Sequence, residues 1–423
     1  MSRQGNQKVV VIGQGYVGLP VAMRAVEVGL DVIGIDVDPR RVAQLQAGDS
    51  YVGDISSEEL QAALDCGRYV PTDDYAHAQD FDVAVITVPT PLRETLPDLS
   101  FIEQSAAALA RHIRPGATVI LESTTYPGTT EELMVPILEA GSGLQAGRDF
   151  SVGYSPERID PGNTTYGFVE TPKVVSGIDA RSLEQVQGFY DLLIDQTVPV
   201  SSPKEAELTK LLENTFRHVN IALVNELAVF AHQLGIDIWE SIEAASSKPF
   251  GYMKFTPGPG VGGHCLPVDP SYLSWQVRRQ LGQSFRFVEL ANDVNDHMPD
   301  YVVQRLSMIL NGLSRSVRGS TVMLVGLAYK KNTGDIRESP ALRIIELLLE
   351  LGARVLCVDS KIEEHRKPAG VEMVELDAET LTSADVAVLI TDHDDIDLRL
   401  LESGLCPVFD TRARLEGPSV ERL

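Results

Sequence analysis

The sequence predicts an α/β protein in which two doubly wound parallel-sheet domains are joined by a central long-helix domain, and three observations carry that prediction. The first is the order strand, glycine turn, helix, strand in "KVVVIGQGYVGLPVAMRAVEVGLDVIGIDVD" near the N-terminus. Its short β-branched runs are separated by a helical period, as in a parallel sheet with crossover helices. The second is a later copy: "STVMLVGLAY" parallels "KVVVIGQGY", "GARVLCVDSK" parallels "GLDVIGIDVD", and "ADVAVLITDH" parallels "FDVAVITVPT". Insertions separate the copies, so the match is architectural, and both ends read as Rossmann-like. The third is the helical pattern running unbroken from Pro203 to Gly235 between them.

The first domain is expected over residues 1–202, with further strands at "DVAVITVPT", "GATVILEST" and "DFSVGYSPE". The central domain, 203–312, begins with Leu208, Leu211, Leu212, Thr215, Val219, Ala222, Leu223 and Leu227 at helical spacing. At 1.5 Å per residue this helix is roughly 45 Å long, enough to connect two domains and offer a dimer surface. Lys210, Asn214 and His218 share another face at i, i+4 intervals, a face that lines a cleft if the helix lies between domains. The last domain is expected over 313–423.

Composition narrows the function. A chain of 423 residues exceeds one hydrophobic core, and 43% hydrophobic with 23% charged residues is ordinary for a soluble globular protein. With 60 acidic against 36 basic residues the net charge is -24, which argues against nucleic acid or an anionic membrane as partner. An anionic ligand therefore needs a local basic cluster. The N-terminal segment leaves no room for a signal peptide and no run of about 18 apolar residues occurs, so a cytoplasmic location is expected. The four cysteines lack any CxxC spacing, so neither a disulfide framework nor a metal site is expected. Cys357 and Cys406 lie in strand-like runs and read as small hydrophobes.

"GQGYVG" sets Gly13, Gly15 and Gly18 after a strand and before a helix, with Asp36 closing the next strand. Such glycines permit a tight turn and close approach of a pyrophosphate, while Asp36 can accept hydrogen bonds from ribose hydroxyls and favours NAD over NADP. A FAD-binding or non-binding copy of the fold is the alternative. In the second copy, "VGLAYKKNTGDIRESPA" supplies Lys330, Lys331 and Arg337 near a strand end. A phosphate-bearing ligand other than a second dinucleotide, or a solvated basic turn, accounts for them.

"GPGVGGHCLPVD", Gly258 to Asp269, sets Cys265 in a loop whose glycines let something approach its backbone closely. Three readings of Cys265 compete: a structural residue, a metal ligand with His264 and Asp269, and a nucleophile. Adjacent residues rarely chelate one ion together, which weakens the second. A thiol can add to an aldehyde, and a nearby cation such as Lys210 would lower its pKa. A dehydrogenase that stops at the aldehyde or ketone needs no such residue. One that continues can form a thiohemiacetal, oxidise it to a thioester and release an acid with water.

The motifs "GQGYVGLP", "VPTP", "ESTTYPGTT", "SPER", "ELTKLLENTFRHVNIALVNELA", "GPGVGGHCLPVDP" and "KKNTGDIRESPA", in this order across the chain, resemble the nucleotide-sugar 6-dehydrogenases. The resemblance implies a thiol nucleophile at Cys265 with an acid at Asp269, and oxyanion stabilisation by Lys210 and Asn214. It implies a water-placing Thr124 and, at Glu157, a glutamate tied to thioester hydrolysis. It also implies contacts to NAD from Gly13, Gly15, Tyr16, Val17, Gly18, Asp36, Thr90, Thr124 and Arg337. Substrate contacts are implied for Glu157, Arg158, Lys210, Asn214, Gly262 and Lys330, with the glycine loop wrapping the sugar nucleotide.

UDP-glucose dehydrogenases usually resemble "GGSCFPKD" at the cysteine, whereas this chain has His264 before it and Val268 where a lysine is common. That text is similar to the branch oxidising N-acetylhexosamines, so UDP-N-acetylglucosamine is the expected substrate. UDP-N-acetylmannosamine, UDP-glucose and dTDP-glucose are the alternatives. The expected partners are the sugar nucleotide and a second copy of the chain, with no metal, nucleic acid or membrane. Two rivals stand beside this reading: a two-electron hydroxyacid-type dehydrogenase, which needs neither Cys265 nor the second Rossmann-like half, and a non-catalytic sugar-nucleotide sensor, which needs none of the chemistry of Cys265, Lys210 and Asp269.

Overall fold

The computed structural model describes residues 7–93, 96–159, 166–263 and 265–423. The chain divides into two compact units, residues 1–213 and 214–423. No helix among the described residues is long and apolar enough to cross a membrane.

In the first unit β1 (Lys8–Ile12), β2 (Asp31–Ile35), β3 (Tyr69–Thr72) and β4 (Val83–Ile86) are followed by a short hairpin of β5 (Leu92–Arg93) and β6 (Leu96–Pro97). Then come β7 (Thr118–Leu121), β8 (Ser151–Tyr154), β9 (Lys173–Gly177) and β10 (Thr197–Pro199). Among the described residues these form an eight-stranded sheet of order β10-β9-β8-β7-β4-β1-β2-β3, parallel except where β8 meets β9. Val9, Val10 and Val11 of β1 are fully buried. Both faces of the strand are covered, so the run is continuously apolar instead of alternating. Val9 and Val11 join the core that includes Leu19 and Val21 of the helix Gly18–Glu27, while Val10 and Ile12 join Ile102 and Leu109 on the other face.

The second unit holds β11 (Thr321–Val325), β12 (Arg354–Val358), β13 (Glu372–Met373), β14 (Val386–Leu389), β15 (Val408–Asp410) and β16 (Val420–Arg422). Their order, β13-β12-β11-β14-β15-β16, is all parallel, and β11 lies between β12 and β14 as β1 lies between β2 and β4. The architecture expected from the repeated segments is therefore present. Cys357 on β12 and Cys406 before β15 are buried among apolar neighbours, and burial pushes their thiols up to about 12 and about 11.

The long helix spans Pro203–Leu234. Its leucines do not share one core face as a single stripe: Leu211, Thr215 and Ala222 are buried, whereas Leu208, Leu212, Leu223 and Leu227 are exposed. The buried face also carries polar side chains, with Glu207, Lys210, Asn214, His218 and Asn225 all under one-tenth exposed. Three- and four-residue spacing places these side chains in one row.

In the turn after β1, Gly13 has φ +92° and its N–H bonds to the Ile35 carbonyl. A Cβ on Gly18 would lie 1.8 Å from the Gly13 carbonyl oxygen, whereas a Cβ on Gly15 would meet nothing within 4 Å. Gly18→Ala is therefore expected to lower stability by about 2–3 kcal/mol, and Gly15→Ala to change it by no more than about 0.5 kcal/mol, read from urea unfolding. Equal losses in the two variants would contradict this division of the motif.

Candidate active site

The first unit holds all of the expected cofactor residues except Arg337. Asp36 is only 5% exposed; its Oδ2 accepts the Gln14 N–H at 2.9 Å and its Oδ1 the Asp38 N–H at 2.9 Å. Arg41 approaches Oδ2 at 3.6 Å. Each oxygen keeps acceptor capacity for a ribose hydroxyl. The space above Gly15, the half-exposed Tyr16 and the helix start at Val17 and Gly18 leave a phosphate free access to backbone N–H groups. Thr87, following β4 at the point where strand order reverses, donates to the Ile12 and Gly13 carbonyls and closes the floor of that turn. Thr90 donates to the Thr124 carbonyl at 2.8 Å, so two of the expected cofactor residues lie together at the ends of β4 and β7. The acid on which the NAD expectation rests thus stands at the end of β2 with Arg41 beside it.

Beyond β7 the chain turns through Thr124 to Gly128 and is tied to the long helix by Glu207. The Glu207 carboxylate accepts N–H bonds from Gly128 at 2.5 Å and Thr130 at 2.9 Å, and the Thr130 hydroxyl at 2.7 Å. Burial pushes its pKa up to about 7, against the pull of those donors. Lys210, one turn further along, is 9% exposed. Glu157 lies close enough to feel its charge. Glu157 Oε1 accepts the N–H groups of Arg158 (2.6 Å) and Ile159 (2.7 Å), and Oε2 lies 3.2 Å from Lys173 Nζ. Burial pushes Glu157 up, but the Lys173 charge, the Ile159 N–H and the Lys210 charge outweigh it and hold the carboxyl below its usual range. The Arg158 guanidinium meets Glu213 at 2.6 Å and the Pro172 carbonyl.

In the second unit Asn214 Nδ2 donates to Asp269 Oδ2 at 2.6 Å, with both residues buried. Cys265 is the first residue of the helix Cys265–Leu281, one turn ahead of Asp269. Its side chain, and the whole of His264, lie outside the described residues. Further along the long helix, His218 Nε2 is 2.7 Å from Asn292 Oδ1, and burial pushes its imidazole pKa down. Asn225 donates to Asn295 Oδ1 at 2.9 Å and accepts the Gly258 N–H at 2.9 Å, which fixes the start of the glycine loop.

The close approaches those glycines permit are made by the chain itself. A Cβ on Gly262 would lie 2.7 Å from the Glu338 carbonyl oxygen. Gly263 has φ +85°, its Cβ would lie 2.6 Å from the Tyr329 ring, and its N–H bonds to the Arg337 carbonyl at 2.9 Å. The loop before Cys265 is thus seated on the loop that carries Lys330 and Arg337. The Arg337 guanidinium pairs with Asp335 at 2.6 Å, and Lys331 with Asp394 at 2.6 Å; Lys330 is half-buried.

The two sheet domains use their β2-end acids differently. Asp359, after β12, corresponds to Asp36, but it accepts N–H bonds from Leu327, Ala328 and Lys361 and lies 3.1 Å from His393 Nε2, with both side chains sealed from solvent. Turned inward and fully engaged, it offers nothing to a ribose. This fits the expectation of a different ligand in the second half.

Sequence reasoning missed Glu207, Lys173, Glu122 and the Asn225–Asn295 pair. Glu207 stands in the quoted "ELTK", three residues before Lys210 on the same face, a signal that was present. Lys173 opens β9 amid valines and carries no motif.

Comparison with known proteins agrees along the chain. Residues 7–194 match the NAD binding domain, 204–297 the central domain and 323–416 the UDP binding domain of the UDP-glucose/GDP-mannose dehydrogenase family. Protein CapL of Staphylococcus aureus is 36% identical over 92% of this chain and 91% of its own length. The UDP-N-acetyl-D-glucosamine 6-dehydrogenase of Pseudomonas aeruginosa is 38% identical over 82% of this chain and 81% of its own. The solved UDP-D-ManNAc dehydrogenase of Pyrococcus horikoshii superposes with a TM-score of 0.89 at 31% identity, covering 98% of this chain and 99% of that one. The chain belongs to the UDP-glucose/GDP-mannose dehydrogenase family and is an NAD-dependent nucleotide-sugar dehydrogenase.

Proposed function

We propose that this enzyme oxidises the C6 hydroxyl of a nucleotide-diphosphate hexose to a carboxylate in two two-electron steps through a thiohemiacetal and a thioester on Cys265. The overall balance is alcohol plus water plus two NAD⁺ giving acid, two NADH and two protons. The observation that carries the reading is the buried Asn214–Asp269 hydrogen bond, which joins the helix headed by Cys265 to the long helix one turn after Lys210. A residue at the first helical position stands in the positive end of the helix dipole, which favours a thiolate.

The Cys265 sulfur adds to the C6 aldehyde carbon, and Lys210 and Asn214 stabilise the oxygen as it gains charge. Gly13–Gly18 and Asp36 would hold NAD, which would supply the hydride acceptor for both oxidations. Water placed by Thr124 loses a proton to Glu157 as its oxygen attacks the thioester carbon, and the Cys265 thiolate leaves. Asp269 keeps Asn214 oriented. Lys330 and Arg158 serve the sugar nucleotide, and the glycine loop through Gly262 lies against it.

UDP-N-acetylglucosamine is the favoured substrate. Val268 is 7% exposed, so no cation occupies that place in the first turn of the Cys265 helix. UDP-N-acetylmannosamine is the second reading, supported by the Pyrococcus neighbour. Values of kcat/KM for these two, UDP-glucose and dTDP-glucose should place UDP-N-acetylglucosamine first by at least about tenfold, near 1.4 kcal/mol of transition-state preference; a UDP-glucose preference would overturn the assignment from Val268.

Cys265→Ala tests the mechanism. Acid formation should fall on the order of a thousandfold or more while NAD affinity and melting temperature stay near wild type, because a covalent step is removed. Acid production above about a tenth of the wild-type rate would exclude Cys265 as nucleophile.

The oligomer proposed is a homodimer built on the exposed side of the long helix. Phe216, Leu223, Leu227, Phe230 and Leu234 are 46%, 53%, 44%, 52% and 72% exposed. From Leu223 onward they alternate four- and three-residue steps, the seam that pairs two helices. Leu223→Glu/Phe230→Glu should sediment as a monomer where the parent chain sediments as a dimer, and an unchanged sedimentation coefficient would place the interface elsewhere.

A further inference from the structure

We infer that Lys173 is the positioning residue of Glu157, and that Glu122 sets how firmly Lys173 holds it. The inference rests on Glu157 acting as base in thioester hydrolysis, as proposed above. Lys173 opens β9 and its ammonium is buried, with 5% of the side chain exposed. Nζ lies 2.7 Å from Glu122 Oε1, 3.2 Å from Glu157 Oε2 and 3.4 Å from the Pro156 carbonyl. The ring centroids of Tyr190 and Phe168 lie 5.1 and 5.8 Å away. Tyr190 donates its hydroxyl to Glu122 Oε1 at 2.5 Å.

Orientation follows from the count of donors. Glu157 Oε1 takes the Arg158 and Ile159 N–H groups and Oε2 takes Lys173, so the carboxylate cannot rotate and one face of Oε2 remains for water. Tuning follows from the charge. One ammonium is shared by two carboxylates, and it lies closer to Glu122. Glu122 is sealed from solvent and its Oε2 has no hydrogen-bond partner, an arrangement that favours a proton on one carboxyl of the cluster. Burial pushes Glu122 up in spite of Lys173, whereas Glu157 is held low. While Glu122 is charged it draws the ammonium away from Glu157 and leaves that carboxylate more basic. When Glu122 is neutral, Lys173 belongs to Glu157 alone and its basicity falls. The other charges around Glu157 are Lys210 on the long helix and Arg158 on its own segment, the latter engaged by Glu213.

The test is the pH profile of acid release from the 6-aldehyde sugar nucleotide with NAD. Glu157 must be ionised to act, so the acid limb follows its pKa. Glu122 is neutral where Glu157 titrates, so Glu122→Gln, which mimics the protonated acid, should leave the limb in place. Lys173→Met/Glu122→Gln, which removes the ammonium, should move it to higher pH by at least about one unit, and Lys173→Arg should keep the parent limb. A limb unmoved in Lys173→Met/Glu122→Gln, with only the melting temperature lowered, would show a structural cluster and overturn the inference while leaving Glu157 its role. If that double variant fails to fold, Lys173→Gln/Glu122→Gln should show the same rise, and no rise there would overturn the inference. If Glu157→Gln releases acid at the parent rate, the hydrolytic role of Glu157 fails and the inference with it.

Discussion

The long helix Pro203–Leu234 carries a row of buried polar side chains, and their partners tie neighbouring segments of each unit to it. An unpaired buried polar group costs about 1–3 kcal/mol, and four members of the row take partners from other segments, whereas the buried Thr215 hydroxyl on the same helix has none. Glu207 takes the turn at Gly128 and Thr130, Asn214 takes Asp269, His218 takes Asn292, and Asn225 takes Asn295 and the Gly258 N–H. These bonds hold the turn after Thr124, the helix that begins at Cys265 and the start of the glycine loop. Removing any one of these partners would strand a buried group.

The same periodicity explains the opposite side. A helix that spends one face on polar contacts and leaves Phe216, Leu223 and Phe230 in solvent has an apolar surface that water does not favour. Within the first unit the cluster at Lys173 follows a related logic. A single ammonium held by two carboxylates and two aromatic rings offsets its desolvation only if every partner is in place.

The sheet architecture was legible in the sequence because parallel strands buried on both faces read as continuous β-branched runs, and because that signature occurs twice. Gly13, Gly18 and Asp36 were legible because their spacing is tied to one turn geometry. The leucine spacing of the long helix marked it as a helix, and periodicity alone does not say which face is covered. Lys173 was illegible for another reason: its partners Glu122 and Glu157 stand far away in the sequence and meet it only through strand order. The glycines before Cys265 were read as letting a sugar nucleotide approach closely. What approaches Gly262 and Gly263 is Glu338 and Tyr329, a pairing that no local pattern carries.

A four-electron oxidation is distinguished from a two-electron one by the stoichiometry of the reaction. UDP-N-acetylglucosamine incubated with excess NAD should yield two NADH per sugar consumed, with the uronic acid as the only released sugar product. One NADH per sugar, with an aldehyde or ketone released, would contradict it.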